Sequence, residues 1–118
     1  MYTYEATLIK IIDGDTIDAM VDLGFNMWIE IRIRLNGIDT PEIRTRDLEE
    51  KAKGFVAKKR LTEVLRSHSN KFIIISHGRD KYGRCLGEIM VEGNSVNQLL
   101  IDEGLAIPYD GGKKKKMK

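Results

Sequence analysis

The first third of the chain alternates between apolar and polar side chains, a period of two residues that is typical of half-buried β-strands. The alternation predicts strands over residues 2–12, 16–23 and 28–35. An Asp13-Gly14-Asp15 turn joins the first two strands, and a turn around Gly24 joins the second to the third. Three strands in series with short connections predict an antiparallel meander.

The spacing of apolar residues changes to a helical period over residues 47–66. Asp47 is expected to cap this helix and to form a capping box with Glu50. The apolar positions that predict the buried face of the helix are Leu48, Ala52, Phe55, Val56, Val64 and Leu65. A long amphipathic helix is therefore expected after the meander.

The rest of the chain returns to strands and ends on a shorter helix. We expect strands over residues 71–75 and 84–91, and a helix over 95–103 that opens at a capping box of Ser95 with Gln98. This order of elements predicts a mainly β fold, a small five-stranded barrel with one long and one short helix.

Composition limits the classes of protein that fit this order. The 118 residues, 42% hydrophobic and 32% charged, suit one folded domain over residues 1–112. No apolar run approaches the ~20 residues that cross a bilayer, and the N-terminus lacks a signal-peptide pattern. We therefore expect a cytoplasmic protein without a membrane partner. We also expect it to be a monomer. With a single cysteine, Cys85, and two histidines, His68 and His77, any metal is expected to have oxygen ligands.

The net charge of +2 is unevenly distributed along the chain. Residues 113–118 hold five lysines and no acidic residue, which leaves residues 1–112 with a net charge of −3. We expect residues 113–118 to be a disordered lysine-rich tail. Such a tail is either a tether to nucleic acid or a solubility feature.

Asp15 is the first residue that indicates chemistry. If the second strand extends back to it, Asp15 lies on the apolar face that Ile17 and Ala19 share. A carboxylate at the edge of an apolar face needs a compensating charge or hydrogen bonds, which a hard divalent cation supplies. Taken alone, Asp13 and Asp15 are also ordinary turn residues.

Two further polar segments carry candidate functional residues. Asp39 and Glu42 lie three residues apart on a loop that Pro41 stiffens, so that one carboxylate can hold a metal and the other can move a proton. The turn over residues 80–83 places a lysine and a tyrosine next to Arg84, a combination that suits a phosphate and a nucleotide. Each segment alone is also consistent with a solvated loop.

Four segments in order along the chain resemble the staphylococcal (micrococcal) nuclease family. They are Ile12-Asp13-Gly14-Asp15-Thr16, Ile33-Arg34-Leu35, Ile38-Asp39-Thr40-Pro41-Glu42 and Asp80-Lys81-Tyr82-Gly83-Arg84. The resemblance runs from about Leu8 to Tyr109 and is closest to compact members of the kind that phages and mobile elements encode. It implies an OB-fold barrel and a Ca²⁺-dependent phosphodiesterase that cleaves DNA, RNA or both and leaves 3′-phosphate ends.

The resemblance also assigns roles to individual residues. It implies metal binding by Asp15, Asp39 and the backbone carbonyl of Thr40; catalysis by Arg34, Glu42 and Arg84; and substrate contacts by Lys81, Tyr82 and Tyr109. The chemistry agrees, because a cation and two arginines can offset the charge of the phosphate while a glutamate activates water. The alternative is a non-catalytic barrel that binds nucleic acid or protein; the presence of all five acidic and arginine side chains favours the enzyme.

Overall fold

A computed structural model describes residues 2–109 of the chain. The elements in chain order are β1 (Tyr2–Asp13), β2 (Thr16–Gly24), β3 (Met27–Leu35), β4 (Ile38–Asp39), α1 (Leu48–Arg66), β5 (Lys71–Arg79), β6 (Cys85–Val91), β7 (Asn94–Ser95), α2 (Val96–Asp102) and β8 (Ile107–Pro108).

Strands β1, β2, β3, β5 and β6 form a closed five-stranded barrel. The sheet runs in the order β3-β2-β1-β5-β6, and parallel pairing of β3 with β6 closes it. β7 extends the sheet beyond β6, while β4 and β8 form a separate two-stranded pair. The predicted mainly β barrel with one long and one short helix is therefore confirmed.

The alternation in β2 and β3 corresponds to the inside and outside of the barrel. Ile17, Ala19 and Ile33 are fully buried, and Val21 is nearly so. Leu23, at the far end of the same face, is 38% exposed. The parallel contact between β3 and β6 covers only residues 33–35 of β3, so the barrel is open at the end where Leu23 lies.

Strand β5 is longer than predicted, because it continues through Ser76, His77 and Gly78 to Arg79. These residues have low strand propensity, but backbone pairing with the neighbouring strands overrides it. Tyr2 of β1 pairs with Ser76, and the pairing with β6 resumes at Arg79 after a bulge. The two-residue strands β4, β7 and β8 were not predicted, since they are too short to show a pattern.

The cap of α1 is confirmed, but the predicted capping box is not. The Asp47 side chain accepts hydrogen bonds from the backbone N–H groups of Glu49 and Glu50. The N–H of Asp47 donates to Thr45 Oγ1 at 3.2 Å, so Thr45 takes the part expected of the Glu50 side chain. The predicted cap of α2 is also confirmed, because Ser95 Oγ accepts a hydrogen bond from the Gln98 N–H.

The buried face predicted for α1 is wrong in part. The helix buries Gly54, Ala57, Leu61 and Leu65, whereas Phe55 and other predicted members remain substantially exposed. The helix therefore presents its one glycine and one of its two alanines, rather than its aromatic residue, to the body of the protein. The reason is the close approach of a loop that belongs to the candidate site.

α2 is tied to the barrel through the buried side chain of Asn97. Its amide oxygen accepts from the Ile89 N–H at 3.1 Å, and its amide nitrogen donates to the carbonyls of Asn36 at 2.8 Å and Gly87 at 3.1 Å. These bonds link β6 to the end of β3, where the site residues lie.

The lysine-rich segment predicted to be a disordered tail, residues 113–118, lies outside the described residues. Among the helices that the structure describes, none is both long enough and apolar enough to cross a membrane.

Candidate active site

Closure of the barrel brings three distant segments of the chain together. Thr16 pairs with Arg34 across β2 and β3, and Leu35 donates its N–H to the Asp15 carbonyl at 2.8 Å. On its other side β3 pairs with β6, just after Arg84. A cavity of about 470 Å³ opens here, and six residues singled out from the sequence line it: Asp15, Arg34, Asp39, Glu42, Arg84 and Tyr109.

Two buried carboxylates and one guanidinium form the inner part of this cavity. Asp15 and Asp39 are each only 7% exposed. Arg34 Nη2 lies 3.4 Å from Asp15 Oδ2 and 3.4 Å from Asp39 Oδ1, so one cation faces both acids. The second Arg34 nitrogen, Nη1, donates to the Leu35 carbonyl at 3.0 Å, which fixes the plane of the guanidinium.

Thr40 connects the two acidic segments through its backbone. Its N–H donates to Asp15 Oδ2 at 3.0 Å, and the residue is 3% exposed. Asp39, directly before it, pairs with Ile107 in the short β4–β8 sheet. The loop that carries Asp39 and Glu42 is thus held to the β1–β2 turn on one side and to the end of the described chain on the other.

The same loop rests against α1 and the β1–β2 turn, where small residues permit close contact. A Cβ atom added to Gly54 would lie 2.7 Å from the Pro41 carbonyl oxygen and 3.1 Å from that of Glu42. A Cβ added to Gly14 would lie 2.8 Å from Ala57 Cβ and 3.0 Å from the Thr40 side chain. The small face of α1 therefore sets the position of Glu42.

Arg84 is held in place by Asp80, which sequence analysis treated only as a turn residue. Asp80 Oδ2 accepts from Arg84 Nε at 2.6 Å, and Oδ1 accepts from the N–H groups of Tyr82 and Arg84, each at 2.9 Å. Although burial works against ionisation of Asp80, these hydrogen bonds lower its pKa. The Asp80 carboxylate therefore remains charged and orients the Arg84 guanidinium.

The aromatic residues of the site contact its cations. Arg84 Cζ lies 5.4 Å from the centre of the Tyr82 ring, and Lys81 Nζ lies 5.3 Å from the same ring. Arg34 Cζ lies 5.9 Å from the centre of the Tyr109 ring. Lys81 and Tyr82 do not line the cavity of the carboxylates. Tyr82 lines an adjoining cleft instead.

Asp13 is a member of the site that the sequence did not single out. It lines the same cavity and accepts a hydrogen bond from the Asp15 N–H at 3.0 Å. Burial, together with the neighbouring Asp15, raises the pKa of Asp13 to about 7. For Asp15, burial also opposes ionisation, but hydrogen bonds from Asp13 and Thr40 and the charge of Arg34 hold its pKa below the usual value.

Two further arginines line the cavity and were also missed. Arg44 follows Glu42 by two residues on the same loop, and Arg32 precedes Arg34 by two on the same face of β3. The sequence could have indicated both arginines, because each lies two residues from a candidate site residue. Arg32 is engaged by Asp18, with Nε–Oδ1 at 2.8 Å and Nη2–Oδ2 at 3.1 Å.

The donor set fits a hard cation with much of its hydration retained. Asp15 and Asp39 offer carboxylate oxygens beside the backbone of Thr40, and none of the described residues that line the cavity brings a sulfur or imidazole ligand. Within residues 2–109, no group of three or more His, Cys, Asp or Glu side chains converges to hold a metal ion. Two carboxylates with a carbonyl and water suit Ca²⁺ or Mg²⁺ better than a transition metal.

The barrel and the grouping of two arginines with three carboxylates agree with comparisons of the whole sequence. The model of the family described as "Staphylococcal nuclease homologue" matches residues 32–118. The chain belongs to this family.

Several relatives carry nuclease names. "Micrococcal nuclease" of Shigella flexneri is 28% identical over 115 residues, which are 90% of this chain and 59% of that protein. "SPbeta prophage-derived endonuclease YokF" of Bacillus subtilis (strain 168) is 35% identical over 86% of this chain and 33% of that protein. "Staphylococcal-like nuclease CAN1" of Arabidopsis thaliana is 33% identical over 68% of this chain and 22% of that protein. The chain thus spans less than two thirds of the length of each of these relatives.

Proposed function

We propose that the chain is a calcium-dependent nuclease that hydrolyses phosphodiester bonds in DNA, RNA or both. The observation that carries this proposal is the single cavity in which Arg34, Arg84 and Glu42 meet the buried pair Asp15 and Asp39. Membership of the family and the nuclease names of several relatives support it.

In this proposal Asp15, Asp39 and the Thr40 carbonyl hold the metal ion. The bound cation supplies positive charge next to the attacked phosphate and lowers the pKa of water. We expect Ca²⁺ to support activity better than Mg²⁺, because a flexible oxygen site with few carboxylates favours the larger ion over one that demands a tight octahedron.

Arg34 and Arg84 bind the phosphate from two sides. Both are already oriented, Arg34 by the Leu35 carbonyl and Arg84 by Asp80. As the nucleophile adds, negative charge on the phosphate oxygens increases, and fixed guanidinium groups stabilise that charge more strongly than they stabilise the ground state.

Glu42 acts as the general base of the reaction. It takes a proton from the attacking water, whose oxygen forms the new bond to phosphorus while the bond from phosphorus to the 5′ oxygen breaks. The 5′ oxygen leaves with the bonding electron pair and takes up a proton, so the products carry a 3′-phosphate and a 5′-hydroxyl.

The test is cleavage of single-stranded and plasmid DNA and of RNA in Ca²⁺, in Mg²⁺ with calcium chelated, and in EDTA, with analysis of the product ends. We expect Glu42→Gln to lower kcat by about 10²–10⁴, the range of a lost acid–base group. Glu49→Gln, a neutralised exposed glutamate in the first turn of α1, is the matched control and should keep full activity. Binding without cleavage in every condition would instead support the non-catalytic module.

A further inference from the structure

The hairpin formed by β2 and β3 extends beyond the barrel and carries an exposed apolar end. Pairing of β1 with β2 stops at Ala6 and Val21, and β6 pairs with β3 only at residues 33–35. Within the described part of the chain, no third strand therefore pairs with residues 22–29, which we call the hairpin tip. Its large apolar side chains are all partly or fully exposed: Leu23, Phe25, Met27, Trp28 and Ile29.

Phe25 occupies the turn of the hairpin tip against the local preference of the backbone. Because Gly24 pairs with Met27, Phe25 and Asn26 are the two residues of the loop, and their φ angles are +55° and +61°. Positive φ values suit glycine and asparagine and strain a bulky residue. The Phe25 side chain is also 98% exposed, so contacts within its own chain do not offset the strain. A strained and exposed aromatic residue points to binding rather than to folding.

The open end of the barrel, beside the hairpin tip, offers a place for an aromatic ring. A cavity of about 860 Å³ lies between β3 and the β5–β6 hairpin, where the two are not paired. At this end its lining is apolar, with Leu23 and Ile29 from the hairpin tip and Tyr4 and Ile74 from the neighbouring strands. Each copy of the chain thus has both an exposed anchor and an apolar cavity that the anchor of its own chain does not fill.

The charge of the hairpin tip favours a second copy over nucleic acid or an anionic lipid. Residues 22–31 contain Asp22 and Glu30 and no lysine or arginine, so they repel polyanions. Of the three arginines that line the cavity, Arg32 and Arg84 are engaged by Asp18 and Asp80 of their own chain. Arg79 is exposed and forms no ion pair with another residue of the described range 2–109. It is therefore the cation that can face the acids of another tip.

We infer that two copies of the chain form a symmetric dimer in which Phe25 of each copy enters the open end of the other barrel. The interface is isologous, because the same tip and the same cavity meet twice across a two-fold axis. The exposed parts of the apolar side chains come to roughly 500 Å² per tip, so two tips offer about 1,000 Å², the size that a specific interface needs. The inferred dimer replaces the monomer expected from the sequence. It leaves the candidate active site uncovered, since Arg34 lies at the opposite end of β3.

Sedimentation velocity over a dilution series of the full chain measures the association. Phe25→Asn removes the anchor and places at φ +55° a residue that accepts this conformation, so the variant should be at least as stable to heat as the parent. Ile29→Gln makes the cavity polar at a 38% exposed position, and Leu23→Gln takes its place if that variant does not fold. Leu48→Asn is the matched control, because Leu48 is a 79% exposed apolar residue outside the tip.

We expect the parent and the Leu48→Asn control to dimerise reversibly with the same Kd. Phe25→Asn should raise the Kd of the dimer at least about 30-fold, as the loss of a buried aromatic anchor does. Ile29→Gln should raise it on the order of tenfold, because the cavity loses apolar contact. A Phe25→Asn copy keeps an intact cavity and an Ile29→Gln copy keeps an intact anchor. A mixture of the two variants should therefore associate more tightly than the Phe25→Asn variant alone, through one intact contact.

Three results would overturn the inference: a parent chain that stays monomeric throughout the series, a Phe25→Asn variant that associates like the parent, or a mixture that associates no more tightly than Phe25→Asn alone. Vesicles of phosphatidylcholine give a fourth comparison. Binding of a monomeric parent to them through Phe25 would assign the hairpin tip to a lipid surface and also overturn the dimer. Because every readout is a mass or a binding constant, the outcome does not depend on the proposed nuclease activity.

Discussion

Arg34 is the residue on which the electrostatics of the site depend. It faces two buried carboxylates at 3.4 Å each and stacks near Tyr109. Buried charges are stable only when they are paired, and Arg34 is the cation placed between these acids. In the proposed reaction Asp15 and Asp39 would hold a metal ion, and the Arg34 guanidinium would then be available to bind a phosphate.

Replacement of Arg34 therefore has a measurable cost in the free protein. Arg34→Gln should lower the free energy of unfolding in a chelator by about 3–5 kcal/mol, because two buried acids lose their cation. Calcium should stabilise the variant more than the parent, since cation binding to the folded state adds stability and no guanidinium competes for the acids. Urea unfolding with and without Ca²⁺ measures both effects. Arg46→Gln, an exposed arginine, is the control; equal stability of the two variants in chelator would contradict the assignment.

Among the elements, α1 has a role beyond covering the barrel. Its buried stripe begins with Gly54, against which the Pro41–Glu42 backbone lies, and Ala57, which faces Gly14 of the β1–β2 turn. Glycine ordinarily weakens a helix, so its presence inside α1 has a packing reason. The helix acts as the surface on which the loop of the site is positioned.

Gly54→Ala tests this role. At a solvent-exposed helix position the change would stabilise the folded protein by about 1 kcal/mol. Here the added methyl group would lie 2.7 Å from the Pro41 carbonyl oxygen. We expect a loss of about 1–3 kcal/mol of stability and a fall in kcat of at least about tenfold, since the backbone that carries Glu42 must move. Ala52→Gly, at an exposed position of the same helix, should lose about 1 kcal/mol without any change in kcat. An active, stabilised Gly54→Ala would show that the loop is not set by α1.

The two helices are joined by one ion pair with two hydrogen bonds. Arg60 Nε lies 2.7 Å from Glu103 Oε1, and Arg60 Nη2 lies 2.9 Å from Oε2. The hydrogen bond to Arg60 lowers the pKa of Glu103. Glu103 therefore binds a proton more readily in the unfolded chain than in the folded one. The ion pair stabilises the fold fully above the ordinary pKa of glutamate, and this stabilisation is lost as the pH falls through the lowered pKa of Glu103.

A double-mutant cycle of Arg60→Ala and Glu103→Ala checks the size and the sign of this effect. At pH 7 the coupling should be below about 1 kcal/mol, because both side chains are about one third exposed. In urea unfolding at progressively acidic pH the coupling should decrease toward zero. A coupling that stayed constant or grew on acidification would show that the pair is not an ionic one.

At the scale of the whole molecule, the distribution of charge bears on how a long polymer is held. Residues 1–112 carry a net charge of −3 and residues 113–118 carry five lysines. A long nucleic acid offers phosphates far from the active site, whereas a dinucleotide does not. Contacts to such remote phosphates strengthen binding equally in the ground and transition states.

Removal of residues 113–118 should thus raise KM for long DNA at low salt and leave kcat on a dinucleotide unchanged. Each lysine that contacts a phosphate should contribute about 0.7–0.9 to the slope of log KM against log salt. The measurement is a salt series on the full and shortened chains side by side. Superimposable curves would show that the lysines take no part in binding, and a lower dinucleotide kcat would place them in the catalytic site.

Local patterns determined the elements of this protein with few errors. Alternation placed β2 and β3, and the caps Asp47 and Ser95 marked where the helices begin. These features depend on neighbours close in sequence, and a strand period or a cap is complete within a few residues. The same parity argument identified Asp15 as an acid on a buried face, as the structure has it.

The tertiary structure alone decided which residues meet. Asp13 and Asp80 look like ordinary turn residues, and only folding surrounds Asp13 with the site and places Asp80 behind Arg84. Gly54 is buried and Phe55 exposed because the loop that carries Pro41 and Glu42 packs closely against α1, a contact that the helical spacing does not predict. The barrel wall closes where β3 and β6 pair over only three residues, a long-range contact that neither strand encodes alone. Contacts between segments far apart in sequence leave no local period, and therefore only the folded chain shows them.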